Sequence, residues 1–73
     1  MAQMEVKSEV TGSVWKIVTK PGDRVAPGDS LMILESMKME IPVIVEDGGT
    51  IREFRVAEGQ PVSEGQTVAI LDA

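Results

Sequence analysis

Shifted by 37 positions, this 73-residue sequence superposes on itself without a gap, residues 12–35 falling on residues 49–72. Six aligned positions are identical: Gly12/Gly49, Gly22/Gly59, Val25/Val62, Gly28/Gly65, Ile33/Ile70 and Leu34/Leu71. Others keep their character, as in Ser13/Thr50, Val14/Ile51, Ile17/Phe54 and Leu31/Val68, and the match continues upstream at Val6/Val43 and Glu9/Glu46. Both copies carry G-x-x-V-x-x-G, so turn glycines and apolar positions recur together. Each half is therefore one repeated unit, with halves at about 1–37 and 38–73. A chain of this length makes a single small domain, close to the lower limit for a self-sufficient hydrophobic core.

The units read as short strands. Glycines at 12, 22, 28 and 48–49, with prolines at 21 and 27, cut the chain into pieces too short for stable helices. Val14, Ile17 and Thr19 form one apolar-facing series, matched by Ile51, Phe54 and Val56. Strict alternation would put 14 and 17 on opposite faces, so the shared parity slip predicts a bulge in both copies. Many short strands at regular spacing indicate an antiparallel sandwich or barrel. The expected core is Val14, Ile17, Val25, Leu31, Ile33, Ile51, Phe54, Val62, Val68 and Ile70.

Residues 30–41 (SLMILESMKMEI) are rich in helix formers and lack glycine and proline. Propensity alone favours a helix there. The repeat favours strands instead, because Leu31 to Leu34 aligns with the terminal VAIL run, and the segment after Met39 is β-branched. Strand–turn–strand is the reading adopted, with Met37-Lys38 at the tip. Tight hairpins favour Asn-Gly or Asp-Gly, since the turn needs positive φ. Two bulky residues at such a tip depart from the local rule, and departures of this kind mark functional sites. Lys38 also sits at the junction of the two repeats.

Composition closes several routes. With no cysteine, histidine or tyrosine, neither a Ser-His-Asp or Cys-His triad nor an ordinary zinc site can be assembled. A carboxylate-only hydrolase would need a cleft that so small a domain hardly offers. The net charge of −5, scattered basic residues and only Trp15 and Phe54 as aromatics disfavour nucleic acid. The longest apolar runs fall far short of the roughly 18 residues a membrane span needs. The first residues carry neither a basic n-region nor an apolar h-region, so no signal peptide is expected. A cytoplasmic chain, monomeric in isolation, is the expectation; the sequence leaves open whether it is free-standing, toward which the initial Met and lack of a linker lean, or a fragment of a larger subunit.

E-S-M-K-M-E at 35–40 resembles the attachment motif of biotin carboxyl carrier domains. G-S-V-W-K-I (12–17), P-G-D-R-V (21–25), G-D-S-L (28–31) and G-G-T-I (48–51) are similar to the same family, and the resemblance extends over residues 12–71. It implies an all-β fold: a flattened barrel-sandwich hybrid of two four-stranded antiparallel sheets with a pseudo-two-fold internal repeat. It implies that Lys38 is joined to biotin by a biotin protein ligase. Biotin is then carboxylated by a biotin carboxylase, using ATP and bicarbonate, and the carboxyl group passes to a carboxyltransferase. The chain itself would catalyse none of these steps. Met37 and Met39 match the family's flanking recognition residues, although they would also suit a covered apolar edge. Glu35, Ser36 and Glu40 complete the hairpin. Trp15, aligned with Arg52, is expected to be partly exposed. The sequence lacks the proline that often precedes the first repeat glycine in this family, and it has no room for a protruding thumb.

A lipoyl carrier domain of a 2-oxoacid dehydrogenase shares the fold and the hairpin lysine. Lipoyl sites typically read D-K-A, whereas this one reads M-K-M. A dual biotin/lipoyl attachment protein and an unmodified protein-binding barrel are the remaining alternatives.

Overall fold

The computed structural model describes Gln3 to Asp72, which form eight strands: Gln3–Lys7 (β1), Gly12–Ile17 (β2), Arg24–Val25 (β3), Ser30–Ser36 (β4), Met39–Ile44 (β5), Gly49–Phe54 (β6), Pro61–Val62 (β7) and Thr67–Asp72 (β8). No helix occurs among the described residues, and the helix formers of residues 30–41 lie in β4 and β5. Cross-strand pairing and burial there outweigh intrinsic preference.

All pairings are antiparallel. One sheet has the order β1-β8-β6-β3 and the other β5-β4-β2-β7. A shift by one repeat turns either order into the other. Each sheet thus takes two strands from each half, and neither half can close a sheet by itself. The body is elongated, 36 × 18 × 17 Å.

The turns obey the same symmetry. Gly22, Gly28, Gly59 and Gly65 all adopt positive φ, between 86° and 94°, a region costly for side-chain-bearing residues. Asp23 Oδ2 accepts from the Lys20 amide at 3.0 Å, and its mate Gln60 Oε1 accepts from the Ala57 amide at 3.2 Å. Asp29 Oδ2 accepts from Ala26 at 2.8 Å, and Gln66 Oε1 from Ser63 at 2.9 Å. Aspartate and glutamine are interchangeable here because only a side-chain acceptor is required.

The bulge expected from the parity slip is present in both copies. Val14 pairs with Leu34 and Lys16 with Ile33, leaving Trp15 extra; Ile51 pairs with Leu71 and Glu53 with Ile70, leaving Arg52 extra. A second pair of irregularities falls at Leu31 and Val68. These correct the expected core. The bulge turns both Leu31 and Met32 inward, each fully buried, so Leu34 follows them inside and Ile33 lies half-buried on the outer face. Val14, Val25, Leu31, Ile51, Val62, Val68 and Ile70 are buried as expected, while Ile17 and Phe54 are partly buried against the core.

The core has two lobes exchanged by the pseudo-two-fold. One gathers Val14, Met32, Leu34, Val43, Val56, Val62 and Val68. The other gathers Val25, Leu31, Val45, Ile51, Ala69 and Leu71. Leu34 in the first lobe lies two residues before the end of β4, so the tip projects from a packed base. Among the described residues no helix is long and apolar enough to cross a membrane.

Candidate functional site

β4 and β5 run into each other through the shortest hairpin loop. Ser36 pairs with Met39, leaving Met37 and Lys38 as the two central residues. Their φ values are +52° and +63°, the sign pattern of a type I′ turn. They are the only non-glycine residues at positive φ among those described. Left-handed backbone costs roughly 1–2 kcal/mol for each side-chain-bearing residue. That strain is held in place by a well-paired base, and strain held this way points to a functional constraint.

The tip's side chains face solvent. Met37 is 92% exposed and Met39 63%. Lys38 and Glu40 are exposed, as is Glu35, directly opposite Glu40 across the hairpin, while Ser36 is half-buried. Among the described residues, ion pairs join only Arg52 to Asp72 and Arg55 to Glu53, so Lys38 is committed to none. Flexible thioethers exposed in this way can adapt to more than one partner.

The base of the hairpin is braced by residues that the sequence did not single out for this purpose. Ser36 Oγ donates to the Thr11 carbonyl at 2.8 Å, and Thr11 Oγ1 accepts from the Glu64 amide at 3.0 Å. Gly12 lies so close to the Glu35 carbonyl that a Cβ would collide with it. The repeat marked Gly12 through its identity with Gly49, but the contact that excludes a side chain is tertiary and left no local signal. Thr11, exposed and outside the alignment, left none either.

No group of three or more acidic residues capable of holding a metal is present among the described residues. A surface groove of about 410 Å³ lies between β1 and the end of β5, lined by Met4, Val6, Ile44 and Val45, away from the lysine. Lys38 does not line this groove. Its amine stands where another protein's active site can close around it.

Fold and tip together define a class: a small β scaffold, built from two exchanged halves, that holds one lysine out on a strained turn. The family model described as "Biotin-requiring enzyme" matches residues 2–71, and the chain belongs to this biotin/lipoyl family. It is 40% identical over 65 residues to the biotin/lipoyl attachment protein of Bacillus subtilis (strain 168), covering 89% of each chain. It is 44% identical over 68 residues to a biotinylated protein TB7.3 homolog of Mycolicibacterium smegmatis, covering 93% of this chain and 96% of that one. Among solved structures, Kluyveromyces lactis urea carboxylase superposes with a TM-score of 0.93 at 33% identity, over 99% of this chain but only 6% of that one.

Proposed function

We propose that residues 1–73 are a single biotin carboxyl carrier domain and that Lys38 is the residue joined to biotin. The observation that carries this is the Met37-Lys38 turn: two bulky residues at positive φ, the lysine exposed, with methionines on either side. The family match and the biotinylated mycobacterial relative support the cofactor, and the likeness to urea carboxylase supports the carboxylase setting.

The exposed amine fits the group, because amide formation needs only a free primary amine that a ligase can enclose. A biotin protein ligase takes a proton from the Lys38 ammonium, and Nζ then attacks the activated carboxyl of biotin. The N–C bond forms as the activating group leaves with its electron pair. Once attached, biotin supplies a ureido nitrogen that accepts and releases a carboxyl group. The chain's own part is mechanical. The turn fixes where the arm begins, the Ser36–Thr11 bond holds the turn on its base, and Met37 and Met39 give partners an apolar collar. Glu35 and Glu40 flank that collar with negative charge.

The domain catalyses nothing itself. It serves a biotin carboxylase and a carboxyltransferase in turn, and tethering raises the effective concentration of the arm at both sites. The setting is cytoplasmic, with the isolated chain monomeric. The printed name of the Bacillus relative favours a second reading, in which the same lysine also accepts a lipoyl group.

Intact-mass measurement on protein from its native host tests both. A mass increase equal to one biotinyl group (biotin less water), mapped to Lys38 and absent in Lys38→Arg, is the expected result. A guanidinium stays protonated and cannot form the amide. A lipoyl group without biotin, or biotin on Lys7, Lys16 or Lys20, would overturn the assignment.

A further inference from the structure

Sulfur in this chain is confined to five methionines, because cysteine is absent. Met1 lies outside the described residues. Met32 is fully buried, at 0% exposure, among Val14, Leu34 and Val68, and Met4 packs, partly covered, against the second lobe of the core. Met37 and Met39 are the reverse case, 92% and 63% exposed on either side of Lys38. The fold makes this division. At φ +52° Met37 stands at the outer corner of a two-residue turn, and Met39 opens β5, the edge strand of its sheet.

A hydroperoxide oxidises a thioether only where it can reach the sulfur lone pair. The lone pair attacks one peroxide oxygen, the O–O bond breaks and an S–O bond forms. The second oxygen leaves with the electron pair and takes up a proton. Methionine is thereby oxidised by two electrons, and the hydroperoxide is reduced to an alcohol, or to water when it is hydrogen peroxide. The product is a polar, chiral sulfoxide. Reductases specific for each epimer reverse the step with a dithiol, which becomes a disulfide as the oxygen leaves in water.

We propose that Met37 and Met39 form a reversible oxidation site, and that their sulfoxides hold the biotin-loaded carrier out of its carboxylation cycle. This rests on the biotin reading above. A sulfoxide at Met37 costs the fold little, because that side chain is already almost wholly solvated. Any active site that closes around the arm at Lys38 must also strip water from the residues on either side of it. A thioether gives up little in that step. A sulfoxide oxygen gives up strong hydrogen bonds and recovers them only where a donor faces it. The penalty therefore falls on the encounter and recurs at every turnover, leaving stability untouched. At Met32 the same oxygen would enter the core, so burial there separates a switch at the tip from damage to the fold.

The test uses the full chain, loaded with biotin by purified ligase and checked by intact mass. It is treated with graded hydrogen peroxide, and the oxidised residues are mapped by peptide mass spectrometry. Sulfoxide is expected at Met37 and Met39 well before Met32, with Tm unchanged while Met32 stays reduced. As substrate of a purified biotin carboxylase with ATP and bicarbonate, the tip-oxidised carrier should lose about ten-fold in kcat/KM. Treatment with both sulfoxide reductases and a dithiol should restore it. Biotin carries a thioether of its own, so Met37→Leu with Met39→Leu is the control. Whatever rate that variant starts from, peroxide should change it by less than about two-fold. Should the double variant not fold, Met37→Leu alone should keep more of its rate than wild type after the same dose. Equal reactivity at Met32, an unchanged kcat/KM after tip oxidation, no recovery on reduction, or an equal loss in the leucine variant would overturn the proposal. Failure of wild type to take up biotin would instead sink the functional reading, and the mass recorded after loading separates the two.

Discussion

Ser36 Oγ donates to the Thr11 carbonyl at 2.8 Å, tying the last residue of β4 to the segment that enters β2. Through it, a turn that backbone preference disfavours is joined to a second point on the scaffold. Ser36→Ala removes the donor. The expected stability loss is about 0.5–1.5 kcal/mol, the usual net value of such a bond. Biotinylation should slow while still reaching completion, with faster amide exchange at Met39. Unaltered exchange at Met39 would show that the bond does not steady the tip.

The turn itself offers a trade of stability against function. Replacing Met37-Lys38 by Asn-Gly supplies the pair that a type I′ turn prefers. Stability should rise by about 1–2 kcal/mol. Roughly 4–8 °C in Tm is expected for each kcal/mol in a domain of this size. Attachment should vanish with the amine. A thermal melt that moves downward would mean the turn is not strained in the wild type.

Gly12 and Gly49 are two-fold mates with the same crowding at opposite ends. A Cβ on Gly49 would sit 2.6 Å from the Asp72 carbonyl oxygen, as one on Gly12 would collide with that of Glu35. Alanine at either site should destabilise by about 1–3 kcal/mol, the range for overpacking. Only Gly12→Ala disturbs the base of the hairpin, so it alone should slow the ligase. Chemical denaturation alongside a labelling time course distinguishes the pair.

Core truncation checks the sheet faces. Leu34→Ala and Leu71→Ala, both fully buried, should cost about 2–5 kcal/mol. Ile33→Ala should cost about 1 kcal/mol or less, as expected for a half-buried outer position. Equal losses at Ile33 and Leu34 in urea titrations would contradict the bulge at Leu31.

Much of this was legible before any coordinates. The 37-residue repeat carried the strand count, the turn glycines and the bulges at Trp15 and Arg52, because symmetry repeats a local irregularity and so makes it visible twice. It also overrode the helical preference of residues 30–41. What misled was the run Leu31 to Leu34, where four apolar residues in succession give no parity signal. The second bulge therefore leaves no trace in the sequence, whose pattern puts Ile33 inside, whereas Met32 and Leu34 hold the interior. Lys38 stood out from its turn chemistry and flanking methionines. Thr11 did not, because its contacts to Ser36 and Glu64 join segments 25 and 53 residues apart in sequence.

Gln3 pairs with Asp72 just as Glu40 pairs with Glu35, so the open ends of β1 and β8 occupy the place that the hairpin occupies at the other pole. The body between them is 36 Å long. A neighbour joined through either end would hold the domain by its rear, turning the rigid β body into a crank whose length adds to that of the lysine arm. Pivoting at the rear then moves Lys38 over a far wider arc than any rotation about side-chain bonds. A circular permutant opened within the β4–β5 turn would keep both sheets yet have nothing to swing.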